Sequence, residues 1–241
     1  MPFQAVLFDL DGTLLNTLDD LADSMNAVLA RHGLPQHGLQ AYKYYVGDGM
    51  PQLVRRAVPQ PEPRAGATAS LPCAVAAPDR LVSVPAVSEE CIAQFIAEMR
   101  AEYSRRWRLK TRPYDGIPEL LDALAARGIK LAVLSNKPDE MTRLTVRGLL
   151  PRWRFDAVRG ERAGTPRKPD PSGALGVAAE LGVPPCGFLY LGDTNTDMQT
   201  ALAAGMYPLG ALWGFRTAEE LSASGAKALL AQPLELLTFL G

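Results

Sequence analysis

Asp9 and Asp11 stand two residues apart in Asp9-Leu10-Asp11-Gly12-Thr13, where a short apolar run over residues 5–10 gives way to polar chain. In an extended segment residues i and i+2 share a side, so both carboxylates face one pocket, and Gly12 frees the backbone to turn away from it. Asp193 and Asp197 supply more acid after a second apolar run, residues 188–191, and Gly192. Several carboxylates converging without His or Cys beside them make a hard, all-oxygen set, which suits Mg²⁺ rather than zinc. Ser135-Asn136-Lys137 and Lys168-Pro169 add a hydroxyl, an amide and an ammonium, groups that suit a phosphoryl dianion.

Each piece alone has a plainer reading. Asp-Gly is a common turn pair, a Ser-Asn pair often caps a helix, Asp197 in the first turn of a helix complements its dipole, and Lys168 alone reads as a surface lysine. Their weight comes from their order along one chain. Gly47-Asp48-Gly49 lacks the third glycine and the preceding strand of a dinucleotide fingerprint, and no Gly-Lys-Ser/Thr phosphate loop is present, which disfavours a nucleotide cofactor.

The elements that must position these residues follow from hydrophobic patterning. Continuous apolar runs at residues 5–10, 130–134, 188–191 and 209–213, with a weaker one at 156–158, mark strands buried on both faces. Helical spacing marks residues 117–127, 139–149 and 172–181, with Gly128 and Gly182 at their ends. This alternation predicts an α/β fold, an open Rossmann-like parallel sheet with helices on both faces and ligands beyond the carboxyl ends of the strands. Residues 18–32 and 89–107 read as amphipathic helices with no strand between them, so the expected division is a core of 1–16 and 115–241 with a helical insert of 17–114. Within the insert, residues 59–87 carry six prolines and neither helical nor strand period, and are expected to be irregular and mobile.

Composition bounds the partners. With 25 basic and 26 acidic residues the net charge is -1, so no global positive field is present to hold a nucleic acid. Cys73, Cys91 and Cys186 are odd in number and far apart, which argues against a disulfide framework and for a reducing, cytoplasmic setting. The apolar start lacks the basic residues and cleavage site of a secretory signal. The uncharged stretch 198–215 is punctuated by Gly205, Pro208 and Gly210, so it reads as a short helix, a turn and a strand rather than a membrane span.

Taken in order, D-x-D-G-T, a Ser after a strand, a Lys and Gly192-Asp193 with Asp197 four residues on resemble the motifs of the haloacid dehalogenase superfamily. Arg112-Pro113-Tyr114-Asp115-Gly116, Gly214-Phe215-Arg216-Thr217 and the helical insert are similar to the phosphoglycolate phosphatase branch and its cap domain. The resemblance implies that Asp9 is the nucleophile, that Asp11 protonates the leaving alkoxide and then deprotonates water, and that Lys168 balances charge. It implies Mg²⁺ between the Asp9 carboxylate, the Asp11 main-chain carbonyl and Asp193, with Asp197 supporting the metal's water shell or orienting Lys168. Ser135 would bind a phosphoryl oxygen with Asn136 beside it, and Gly47, Asp48 and Gly49 match the cap loop that helps select substrate. The expected function is a Mg²⁺-dependent phosphatase acting on a small phosphorylated metabolite, 2-phosphoglycolate first, in a monomer or homodimer with neither nucleic acid nor membrane as partner. A sugar-phosphate phosphomutase and a non-catalytic phosphometabolite-binding protein are the alternatives. Asp11 speaks against the binding protein, which needs no acid/base, and against a haloalkanoate dehalogenase, which lacks that second aspartate.

Overall fold

Apolar runs too short to form stable helices become strands of one parallel sheet. In the computed structural model, which describes residues 3–59 and 87–240, the chain runs β1 (Ala5–Phe8), β2 (Leu15–Asn16), α1 (Leu18–Arg31), α2 (Leu39–Tyr45), α3 (Met50–Ala57), α4 (Glu89–Arg106) and β3 (Arg112–Pro113). It continues through α5 (Ile117–Ala126), β4 (Lys130–Pro138), α6 (Asp139–Leu149), β5 (Ala157–Glu161), α7 (Ser172–Leu181), β6 (Phe188–Gly192), α8 (Asn195–Ala204), β7 (Tyr207–Ala211), α9 (Ala218–Ala223) and β8 (Ala228–Leu230). Six strands form one sheet in the order β5-β4-β1-β6-β7-β8, every neighbouring pair parallel. The order reverses between β1 and β6, and at such a switch point the loops leaving adjacent strands diverge and open a crevice.

The runs look continuous in sequence because each strand is covered on both faces, yet alternate residues serve different cores. Val6 and Phe8 join Leu131, Val133, Leu189 and Leu191 against Ile117, Leu120, Leu121 and Leu124 of α5. Ala5 and Leu7 join Ala132, Phe188 and Tyr190 against Ala174, Val177 and Ala178 of α7 and Ala201 of α8. Gly182 ends α7 in the left-handed conformation, φ 64°, as the sequence anticipates.

Three differences from the sequence reading have physical causes. Strand β4 does not stop at Leu134: it carries Ser135, Asn136 and Lys137 inside it and ends at Pro138. Its register with β5 breaks there, Leu134 pairing Arg159 and Pro138 pairing Glu161, so four steps on β4 face two on β5. A bulge of this kind re-aims side chains, and its polar residues read as loop in a search for apolar runs. Strand β7 lies two residues earlier than expected because Pro208 is accommodated within it opposite Tyr190. The three-residue edge strand β8 was not anticipated; it is too short to carry a hydrophobic pattern.

The chain divides into two units, Met1–Thr17 with Thr111–Gly241, and Leu18–Lys110. The second junction falls before residue 114 because β2 and β3 pair antiparallel, Leu15 with Pro113 and Asn16 with Arg112, which keeps both chain crossings with the sheet unit. The helical unit has its own core, where Met25, Val28 and Leu29 of α1 and Ile92, Phe95 and Met99 of α4 are buried at helical spacing. Asp20, buried within it, accepts from the Lys110 amide with both carboxylate oxygens, at 3.0 and 3.1 Å. Of the irregular stretch expected over 59–87, residues 60–86 lie outside the described residues. Among the described residues no helix is long and apolar enough to cross a membrane.

Leu189 sits in β6 between β1 and β7, with its side chain fully buried in the α5-side core. Leu189→Ala is expected to lower unfolding stability by about 2–5 kcal/mol through the cavity it leaves, read from the urea midpoint at an unchanged m-value.

Candidate active site

The site forms where β1, β4 and β6 end. The Asp9 amide extends the ladder by one bond beyond β1, donating to Leu191 O at 2.9 Å, which fixes the Asp9 side chain at the mouth of the switch point. The chain then folds back sharply, Leu14 N and Leu15 N both donating to Leu10 O and Gly12 N donating to Leu15 O. Gly12 occupies φ 94°, and a Cβ there would strike the Asp193 carboxylate and come within 2.7 Å of the Phe215 ring. Conformation and close approach together therefore demand glycine after the second aspartate. A side chain at Gly214 would likewise run into Asp193.

Lys168 is the hub. Its Nζ donates to Asp9 Oδ1 at 2.8 Å, Asp197 Oδ1 at 2.6 Å and Leu134 O at 3.1 Å, and its side chain is almost completely buried. Asn136 grips the Lys168 main chain from both sides, donating from Nδ2 to Lys168 O at 3.1 Å and accepting at Oδ1 from Lys168 N at 3.0 Å. The resemblance puts Asn136 beside Ser135 at the phosphoryl group; its carboxamide is hydrogen-bonded to the main chain of Lys168.

Asp197 was expected either at the metal's water shell or on Lys168, and the geometry puts it on Lys168. As the third residue of α8 it completes a capping box with Thr194, whose N–H and hydroxyl donate to Oδ2 at 3.1 and 2.6 Å. Oδ1 accepts from Lys168 and, at 3.3 Å, from the Tyr190 hydroxyl. Four donors fill the lone-pair positions of one carboxylate, so Asp197 is committed although its oxygen lies within 4.8 Å of those of Asp9 and Asp193. Asp193 accepts from the Thr13 hydroxyl at 2.7 Å and the Phe215 amide at 2.9 Å.

Asp11 has a different neighbour. Lys137 Nζ bridges its two oxygens at 2.7 and 3.0 Å, with the lysine side chain 5% exposed and the aspartate 13%. Ser135, also buried, accepts from the Lys137 amide at 3.3 Å. Beside Ser135, Asn136 and Lys168 a pocket opens, walled by Arg162, Thr165 and Arg167. Gly47, Asp48 and Gly49 lie in the helical unit between α2 and α3, where Asp48 pairs with Arg56 at 2.5 Å.

Lys137, Thr13 and Tyr190 are functional neighbours to which the sequence attached no individual role. Their signals were present: a lysine two residues past Ser135, a hydroxyl directly after Asp-Gly, and one polar tip inside the apolar run of β6.

Three buried carboxyl groups lie close together with one ammonium, which pairs with Asp9 and Asp197, so the cluster would carry excess negative charge if all three were ionised. Burial, opposed by Lys168 and reinforced by Asp197, pushes the Asp9 carboxyl up to about 7. Asp193 is raised well above the ordinary carboxylate value by burial and then by Asp9 and Asp197, despite its two donors. Burial also works against the Lys168 ammonium, but Asp197 and Asp9 outweigh it and hold the proton on. A cluster of hard oxygen donors whose burial disfavours their own ionisation fits a small divalent cation, with Asp9 and Asp193 the carboxylates best placed to hold it.

Fold and site together define a class, a hydrolase core with Rossmann strand order whose acidic site follows the first strand and whose sequence is interrupted by a helical unit. The chain belongs to the haloacid dehalogenase-like hydrolase family, whose profile matches residues 6–211, and within it to the phosphoglycolate phosphatase-like branch of phosphatase-class hydrolases. It is 34% identical over 205 residues to the phosphoglycolate phosphatase of Thiobacillus denitrificans, covering 85% of this chain and 81% of that one. To the phosphoglycolate phosphatase of Rhodospirillum rubrum it is 35% identical over 227 residues, covering 94% and 86%. A crystal structure assigned as a phosphoglycolate phosphatase from Lactobacillus delbrueckii subsp. bulgaricus superposes with a TM-score of 0.82 at 28% identity over 100% of both chains.

Asn136→Ala removes both partners of the Lys168 peptide in a buried setting. The expected result is a loss of about 1–3 kcal/mol of stability from the orphaned main-chain groups, measured by chemical denaturation, with Ser135→Ala as the control that leaves that peptide paired.

Proposed function

We propose that the protein is a Mg²⁺-dependent phosphatase that hydrolyses a small phosphorylated metabolite, 2-phosphoglycolate, through an aspartyl-phosphate. The observation that carries this reading is that two carboxylates, two residues apart, are each matched to a separate lysine: Asp9 to Lys168 and Asp11 to Lys137. The names of the relatives support the substrate.

An Asp9 oxygen attacks phosphorus, forming an O–P bond as the ester O–P bond breaks. Asp11 delivers a proton to the departing alkoxide and later takes one from the water that attacks phosphorus and releases inorganic phosphate and free Asp9. Lys168 stays beside Asp9 throughout and offsets charge on the phosphoryl oxygens, with Ser135 donating its hydroxyl to one of them. Mg²⁺, held by Asp9 and Asp193, would supply further screening between an anionic nucleophile and an anionic substrate. The residues that surround Asp9 are buried, which excludes bulk water and strengthens each of these interactions.

Asp9→Asn keeps size and shape but loses the nucleophile. Phosphate release from 2-phosphoglycolate is expected to fall on the order of 10³-fold or more, with the fold unchanged by circular dichroism; retention of more than about a tenth of activity would remove Asp9 from this role. Transfer of the phosphoryl group to a second sugar position without phosphate release would instead identify a phosphomutase.

The raised carboxyls set a pH dependence. Asp9 and Asp193 hold protons more tightly folded than unfolded, so in metal-free protein the folded state binds more protons from about pH 4 up to about 7, and stability falls as pH rises through that window. Mg²⁺ bound by Asp9 and Asp193 would take the place of those protons. At a concentration on the order of 100 times its Kd it is expected to raise Tm by about 5 °C or more near pH 8, with a smaller rise near pH 5 and none in Asp193→Asn.

A further inference from the structure

We propose that Lys137 is the residue that selects the substrate, its ammonium binding a carboxylate carried on the carbon next to the phosphate ester oxygen. This rests on the phosphatase reading above and locates its selectivity in the sheet unit itself.

Lysine is rarely buried without a partner, and Lys137 is the more deeply buried member of its pair with Asp11. The acidic cluster of Asp9, Asp193 and Asp197 already has Lys168, so Lys137 is a second cation with a separate placement. Its main chain is held on both sides: Lys137 N donates to Ser135 Oγ at 3.3 Å, and Lys137 O accepts from Thr142 Oγ1 at 3.1 Å. The side chain therefore starts from a fixed point within the irregular stretch of β4.

Geometry then links it to the leaving group. In the proposed reaction Asp11 meets the ester oxygen when it delivers the proton, and Lys137 Nζ lies 2.7 and 3.0 Å from the two Asp11 oxygens. A carboxylate one carbon from the ester oxygen would then be carried towards Lys137. Lysine has three donors, so a substrate oxygen can take the place of one Asp11 oxygen without leaving either charge unpaired. A leaving group with an alkyl or esterified end offers no such exchange, and a buried charge that recognises a polar group discriminates strongly against analogues that lack it.

The test compares kcat/KM for 2-phosphoglycolate, its carboxyl methyl ester and ethyl phosphate, in the wild type, Lys137→Met and Lys137→Arg, each with bound Mg²⁺ and checked for fold by circular dichroism. Wild type is expected to favour 2-phosphoglycolate over the other two by on the order of 10²-fold. Lys137→Met removes the partner of Asp11 and should slow all three substrates, but the loss on 2-phosphoglycolate should exceed the loss on ethyl phosphate by about tenfold or more, while Lys137→Arg keeps most of the preference. Equal loss on both substrates would overturn the assignment and leave Lys137 acting through Asp11 alone. Equal wild-type rates on the acid and its methyl ester would also overturn it, whether or not the variants fold, while the phosphatase reading stands. Absence of phosphate release from any of the three by wild-type enzyme would bring down the phosphatase reading, and this assignment with it.

Discussion

A single ammonium held between two carboxylates is the constraint on which the site depends. Lys168 meets Asp9 from the end of β1 and Asp197 from the first turn of α8, and all three side chains are almost completely buried. Burying such charges is costly unless each is paired and hydrogen-bonded, and removing one partner leaves an uncompensated charge. The surroundings meet that demand: Thr194 and Tyr190 complete Asp197, and Asn136 fixes the Lys168 peptide. The strand order brings these segments to one edge of the sheet, which explains why β1 and β6 must be neighbours.

Close approach of backbone to carboxylate is the second requirement, and it accounts for the glycines. Gly12 and Gly214 both lie where any side chain would strike Asp193. Asp193 in turn is pinned by the Thr13 hydroxyl and the Phe215 amide, so chain from β1 and chain after β7 converge on the same acid. The resulting cluster is tightly hydrogen-bonded and crowded with carboxyl groups. A rigid arrangement of dipoles and charges can stabilise charge that develops during reaction without reorganising first.

Asp9 and Asp11 differ through their neighbours. Asp9 lies in the crowded acidic cluster with its carboxyl raised by burial, while Asp11 sits outside that cluster, more exposed, and faced by its own lysine. Two like side chains in unlike surroundings can take unlike parts in one reaction. The helical unit solves a separate problem, closing its own core between α1 and α4 and binding its Glu102 carboxylate to Arg31, Arg105 and Arg106. That carboxyl is held down at about 2 by Arg106 first and then by Arg105, against the effect of burial.

Much of this was legible in the residues alone, for local reasons. Strands β1 and β6 declare themselves as apolar runs because both faces of the sheet are covered, while the pairing of Asp9 and Asp11 was read from an extended period of two although β1 ends at Phe8 and the chain turns over Leu10. Helices α6 and α7 begin and end where their apolar spacing and flanking residues say. What spacing could not decide is which partner each polar group takes. Lys137 reaches Asp11 across 126 positions and Lys168 reaches Asp9 across 159, distances at which no local pattern leaves a mark. Asp197 carried two compatible readings, complement of a helix dipole and partner of Lys168, and only the packed structure shows one carboxylate closing a capping box and meeting Lys168. The Asn136 carboxamide meets the Lys168 main chain 32 positions away, and β4 outran its apolar run because a bulge depends on the neighbouring strand β5. The sequence by itself determined which residues could do chemistry and which elements would carry them; tertiary packing decided the pairing, since burial makes every charge seek its partner wherever in the chain that partner lies.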